Sequence, residues 1–149
     1  MKSTHEKNPK ATASERFQFT RGSHARETAE DYVEAIADLI ERNGTCRGID
    51  LARLFLVTPV TISKTMSRLQ SEGLVEFEPY GPFTLTPKGS SLAAYSKHRH
   101  EVVLDFLQSI GVSEEIAQID AEGIEHHVSP ETLSAFQVFA KKARKRNKN

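Results

Sequence analysis

The stretch "TPVTISKTMSRLQSEGLVEFEPYGPFTLTPKG" (58–89) leaves little choice of architecture. Thr58 before Pro59 reads as an N-cap and first helical residue, and Gly73 is placed to stop that helix in left-handed backbone. Ile62, Met66 and Leu69 form one apolar stripe at helical spacing. "LVEFE" (74–78) and "FTLT" (83–86) then predict two short strands around the turn "PYGP" (79–82), and "TPKG" opens another helix. So short a hairpin cannot bury its own apolar side chains, so this unit must share a core with flanking helices.

Those helices are legible upstream. From about His24 to Arg42, Tyr32, Val33, Ile36, Leu39 and Ile40 recur at helical spacing, closed by "NGT" (43–45). "GIDLARLFLV" (48–57) predicts a short helix with Ile49, Leu51, Ala52, Leu54 and Phe55 facing inward. Helix, helix, turn, helix and two-stranded wing is the winged form of the helix-turn-helix, whose second short helix enters the major groove. On the helix over 59–71, Pro59, Val60 and Thr61 are placed to reach base edges, and Ser63, Lys64 and Arg68 to reach phosphates. Any amphipathic helix has a polar face, so the whole arrangement carries the DNA reading and no single residue does.

Downstream, a long helix near 87–110 carries Leu92, Tyr95, Val102, Val103, Phe106, Leu107 and Ile110. "GVS" (111–113) breaks it, a helix near 113–127 follows, and "SPETLSAFQVFAKKA" (129–143) begins with a Ser cap, Pro and Glu. The expected fold is mainly α with a small β wing. A winged helix-turn-helix domain spans 24–90 and a helical domain 91–143, between a disordered basic arm (1–23) and a basic tail (144–149). At 149 residues, 38% hydrophobic and 27% charged, the chain can fill one domain or two small ones sharing a core. Its net charge is zero, but six Lys/Arg against two Glu in the first 26 residues, and six basic residues in the last nine, leave an acidic middle. One cysteine, Cys46, excludes an internal disulfide, and no secretory leader or membrane-length apolar run is visible, which predicts a soluble cytoplasmic protein.

Within that middle, "DAEGIEHHVS" (120–129) sets Glu122, Glu125 and His126 at i, i+3 and i+4 of one helix, with His127 turned about 100° away. A Glu–Glu pair at that spacing costs roughly 0.2–0.5 kcal/mol, which a solvated acidic face tolerates. Two more stretches favour a metal ion. "EDYVE" (30–34) places Asp31 and Glu34 at i,i+3 on the first core helix, and "KHRHE" (97–101) offers His98 or His100, which cannot both face one centre. Carboxylates with imidazoles and no thiolate suit Mn²⁺, with Fe²⁺ possible, and four carboxylates balance two divalent ions.

"EDYVEAI", "TPVTISKTMSRLQSEGL", "TLTPKG", "RHEVVLDFLQSIGVSEE" and "DAEGIEHHVS", in this order over about 25–143, resemble the diphtheria-toxin-repressor family of metal-dependent transcription factors, and within it the manganese-responsive branch. The resemblance implies a pair of Mn²⁺ ions held by Asp31, Glu34, His100, Glu122, Glu125 and His126, and so selects His100 over His98. It implies a homodimer paired through its C-terminal half, bound to double-stranded operator DNA and repressing manganese uptake genes. Iron-responsive relatives place a methionine at the position of Asp31 and a cysteine at that of Glu122, and this chain has oxygen ligands at both. Its wing tip, "PYGP", lacks the basic residue that close relatives often carry there.

The sequence is also compatible with an iron(II)-responsive member of the same family, a metal-independent winged-helix regulator, and a two-metal enzyme. The enzyme is disfavoured because di-iron bundles use Glu-x-x-His, and neither Glu122 nor Glu125 has a histidine three residues on.

Overall fold

The computed structural model describes the backbone of residues 13–147, with side chains from 24 onward. The chain forms α1 (Ala13–Asn43), α2 (Gly48–Phe55), α3 (Pro59–Ser71), β1 (Val75–Glu76), β2 (Thr84–Leu85), α4 (Pro87–Ser109), α5 (Glu114–Ile124), a 3-10 turn (Glu125–His127) and α6 (Pro130–Arg146). The strands pair antiparallel, Val75 with Leu85 and Glu76 with Thr84.

Local chemistry sets the helix starts. Thr58 Oγ1 accepts from the Thr61 amide at 3.2 Å, Thr86 Oγ1 from Gly89 at 3.0 Å and Ser129 Oγ from Thr132 at 3.2 Å. Each of these caps is followed by proline. Gly73, at φ 73°, turns the chain from α3 into the wing.

Two apolar cores result. In the first, Ile36 of α1, Leu51 of α2, Ile62, Met66 and Leu69 of α3 and Val75 of β1 are buried together. Tyr32 stacks on Phe55 at 4.2 Å, and Phe77 meets Phe83 edge-on at 5.0 Å. In the second, Val102, Val103 and Leu107 of α4 pack on Ala117 and Ala121 of α5 and Leu133 of α6, beside a 3.9 Å stack of Phe106 on Phe136. Helix α4 belongs to both, because its Ala93 joins the first core. Helix α1 also packs along α4, so the two modules meet on a shared spine.

The expected boundaries need four corrections. Helix α1 begins at Ala13 rather than His24, so 13–23 of the expected disordered arm is helical, while 1–12 lie outside the described residues. Only Gly22 interrupts that run, and a helix already nucleated in 24–43 extends through one glycine at a cost of about 1 kcal/mol. Helix α6 likewise continues through the expected tail to Arg146, its basic last turn suiting a helix C-terminus; residues 148–149 lie outside the described residues. In α2 only Leu51 and Ala52 are buried, with Phe55 partly so; Ile49 and Leu54 are exposed, because eight residues present a single stripe to the core. Tyr95 of α4 and Ile110, just past its end, are also exposed, and Tyr95 lies under the Arg99 guanidinium at 5.1 Å.

Candidate metal centre and nucleic-acid interface

The junction of α1, α4, α5 and the 3-10 turn links five of the six side chains singled out as metal ligands by ion-pair distances, with Glu34 nearby on α1. His100 Nδ1 of α4 lies 3.0 Å from Glu125 Oε2 and 3.5 Å from Glu122 Oε1. One donor atom from each of these three residues falls within 4.8 Å of the others. On the other side of Glu125, His126 Nε2 is 3.5 Å from Glu125 Oε1 and 3.1 Å from Asp31 Oδ1. Glu34, one turn along α1 from Asp31, is close enough to Glu122, His100 and Asp31 to feel their charges.

This arrangement corrects the expectation of one continuous helical face. The α-helix ends at Ile124, and residues 125–127 form a 3-10 turn. At about three residues per turn, Glu125 eclipses Glu122 and both converge on His100, while His126 is directed towards α1. His98 lies elsewhere, beside Glu101 and Asp105 in a recess between α4 and α6. His127 is exposed near Glu27, outside the cluster, as its spacing predicted.

Electrostatics single out the junction. Burial pushes the Glu125 carboxyl up to about 7, with Glu122 and Glu34 adding repulsion that His100 and His126 partly offset. Burial also raises Glu34, helped by Glu122 and Asp38. For His126 burial acts downward, but hydrogen bonds to Asp31 and Glu30 together with nearby carboxylate charge raise the imidazole to about 10. Glu125 Oε2 is buried with no hydrogen bond, since the His100 nitrogen beside it is not aligned to make one. Crowded carboxylates, one with an orphaned oxygen, and two imidazoles are a donor set that fits a hard divalent cation. Cys46 takes no part: it is fully buried in the first core, where burial pushes its thiol up to about 11.

Two residues of this junction were missed by sequence reasoning. Glu30, buried on α1, accepts a hydrogen bond from His126 Nδ1 at 2.7 Å and pairs with the buried Arg99 of α4. Burial would raise the Glu30 carboxyl, but the hydrogen bonds from His126 and Arg99 outweigh it and hold it below its ordinary value. The available signal was a charge on a core stripe, with Glu30 three residues before Val33 and Arg99 three before Val102.

On the DNA-reading side, Pro59, Val60, Thr61, Ser63 and Lys64 are exposed on α3. Arg68 also has partners within the chain. It is half-buried, its guanidinium donating to the Ala25 carbonyl at 3.4 Å and lying 3.8 Å from Glu72, which ties α3 to α1 instead of leaving the side chain free. At the wing tip Tyr80 is fully exposed in left-handed backbone at φ 61°.

Comparison with known proteins agrees with both modules. Residues 24–82 match the family model for the iron dependent repressor N-terminal DNA binding domain, and 86–147 match the model for the iron dependent repressor metal binding and dimerisation domain. The chain belongs to the iron-dependent repressor family. Among members of that family, it is 47% identical over 128 residues to the transcriptional regulator MntR of Escherichia coli O157:H7, covering 86% of this chain and 83% of that one. To the HTH-type transcriptional regulator MntR of Lysinibacillus sphaericus it is 42% identical over 100 residues, covering 67% and 72%. Among solved structures, the manganese regulator SloR superposes with a TM-score of 0.66 at 26% identity, over 76% of this chain and 53% of SloR. A manganese-dependent transcriptional repressor in complex with manganese gives 0.68 at 27% identity, over 76% and 52%. The chain thus spans about half the length of these two solved chains. As a family member it carries a DNA-binding unit followed by a unit that binds a divalent metal and dimerises. Among the described residues, no helix is long and apolar enough to cross a membrane.

Proposed function

We propose that the chain is a Mn²⁺-dependent transcriptional regulator of manganese homeostasis. As a cytoplasmic homodimer it binds double-stranded operator DNA when loaded with metal, and it represses manganese uptake genes. The observation that carries this reading is the convergence of Asp31, Glu34, His100, Glu122, Glu125 and His126 where the DNA-binding module meets the dimerising one. Two groupings of side chains on either side of Glu125, one around His100 and one around His126, support two ions per subunit. Oxygen at Asp31 and Glu122, with no thiolate nearby, favours Mn²⁺ over softer-ligand ions, and relatives at 47% identity are named transcriptional regulator MntR.

The residues explain how metal and DNA are coupled. Asp31 and Glu34 sit on α1, which packs into the DNA-reading core, whereas His100, Glu122, Glu125 and His126 sit on elements of the second module. Left to themselves the carboxylates repel, which opposes the packing of α1 against the second module. A divalent ion held by these residues would supply positive charge that offsets this repulsion. With α1 held against α4 and α5, the recognition helices of a dimer keep a fixed separation, which must match half-sites about 34–36 Å apart. An apolar recess of about 580 Å³ between α5 and α6, bordered by the exposed Ile119 and Ile124, supports pairing through the second module.

The test is a gel shift with duplexes selected from a random pool in the presence of Mn²⁺. Chelation should abolish the shift and Mn²⁺ restore it, where equal Mg²⁺ does not. A shift that survives chelation would mean a metal-independent regulator. Restoration by Fe²⁺ at lower concentrations than Mn²⁺ would move the chain to an iron-responsive role. In the same assay Lys64→Ala should reduce the slope of log affinity against log salt by about one, since it removes one phosphate contact. An unchanged slope would take Lys64 out of the interface.

A further inference from the structure

Glu30 and Arg99 are the immediate neighbours of two proposed ligands, Asp31 and His100, but their own side chains are buried in the protein, 2% and 6% exposed. The Arg99 guanidinium donates to Glu30 Oε2 and so joins α4 to α1. The same oxygen accepts from His126 Nδ1 at 2.7 Å. The opposite ring nitrogen, Nε2, faces Asp31 Oδ1 at 3.1 Å and Glu125 Oε1 at 3.5 Å. An imidazole whose Nδ1–H is engaged has only Nε2 to offer a metal, and a carboxylate behind a ligating histidine fixes both its tautomer and its ring orientation. A buried carboxylate needs a partner of its own, which Arg99 provides.

We propose that Glu30 is a positioning residue of the metal centre. By accepting the Nδ1–H of His126 it commits Nε2 to the ion, and by pairing with Arg99 it clips the α1 ligands to the α4 ligand before metal arrives. The proposal rests on the metal-centre reading above, and the two fail differently.

The experiment is Mn²⁺ titration followed by the electron paramagnetic resonance signal of the free ion, alongside thermal unfolding of the metal-free chain. His126→Ala should lose one ion per subunit; retention of both would overturn the metal-centre reading and this inference with it. Glu30→Leu should weaken that same ion by roughly 10–100-fold and leave the other unchanged. Glu30→Gln, which keeps an acceptor for Nδ1–H, should lose less. The double variant Glu30→Leu/Arg99→Met removes the buried pair together. It should melt near the wild type, since such pairs are often replaceable by apolar residues, yet keep the loss of affinity. If His126→Ala loses its ion while a folded Glu30→Leu, or the double variant, binds like the wild type, Glu30 has no positioning role. A crystal structure of the Mn²⁺-loaded wild type decides the matter even if the variants fail to fold. Nε2 on the ion with Nδ1 on Glu30 supports the proposal, and Nδ1 on the ion overturns it.

Discussion

Glu125→Gln is expected to weaken Mn²⁺ binding by roughly 100-fold or more, about 3 kcal/mol, while making the metal-free chain harder to unfold above pH 7. Loss of an outer-shell partner already costs about 10–100-fold, and Glu125 stands between His100 and His126, in reach of both halves of the site. The opposite effect on stability follows from the burial that pushes its carboxyl up to about 7. The folded chain binds this proton more tightly than the unfolded chain does. Stability is therefore lost as pH rises from the ordinary carboxylate range to about 7, and it stays lost above. A glutamine has no such loss. By the same linkage, metal must displace protons from both His126 and Glu125, so Mn²⁺ affinity of the wild type should fall as pH drops across 6–8, more steeply below about 7. Isothermal titration across pH 6–8 and thermal melts of both chains check these points. A variant that binds Mn²⁺ like the wild type removes Glu125 from the ligand set.

Gly89→Ala should lower stability by roughly 3 kcal/mol and the melting temperature by about 10 °C. A Cβ at Gly89 would sit 2.0 Å from the Leu74 carbonyl oxygen, and a backbone neighbour cannot swing aside as a side-chain tip can. Three further contacts hold the same joint between wing and α4. The Thr86 amide donates to that Leu74 oxygen at 3.1 Å, Thr86 Oγ1 donates to the Gly73 carbonyl at 2.7 Å, and Lys88 Nζ donates to the Glu72 carbonyl at 2.9 Å. Relief of the clash would have to shift α4, which carries His100, relative to the first core. The variant should therefore lose metal-dependent DNA affinity as well as stability, read by circular dichroism melts and gel shifts. A melting temperature within about 2 °C of the wild type would show that the joint yields freely.

Much of this was legible in the chain because its punctuation is strong. Thr58-Pro59, Thr86-Pro87 and Ser129-Pro130 each mark a helix start, and Gly73 marks a stop. The acidic and imidazole residues that meet at the junction could be gathered from three separate stretches as candidate donors for one divalent cation, but spacing left His98 and His100 open and only the family resemblance chose His100. Local periodicity could not show the change of helical pitch at Glu125, which depends on how α5 seats against α4 and α1. Nor did it reveal that Arg68 is engaged by α1, a contact between residues 43 positions apart. Glu30 and Arg99 escaped notice for a related reason. Each reads as an ordinary charged neighbour of a ligand until the fold places them together in the interior, 69 positions apart in sequence.

The central claim is that metal and DNA act on one equilibrium through a site shared by the two modules. It is tested most directly by titrating Mn²⁺ into the protein with and without a saturating operator duplex, and by measuring operator affinity with and without saturating Mn²⁺. Linkage requires one factor for both, expected at about 5–150-fold. DNA that tightens Mn²⁺ binding by the same factor as Mn²⁺ tightens DNA binding is the predicted result. Mn²⁺ affinity indifferent to operator would contradict it.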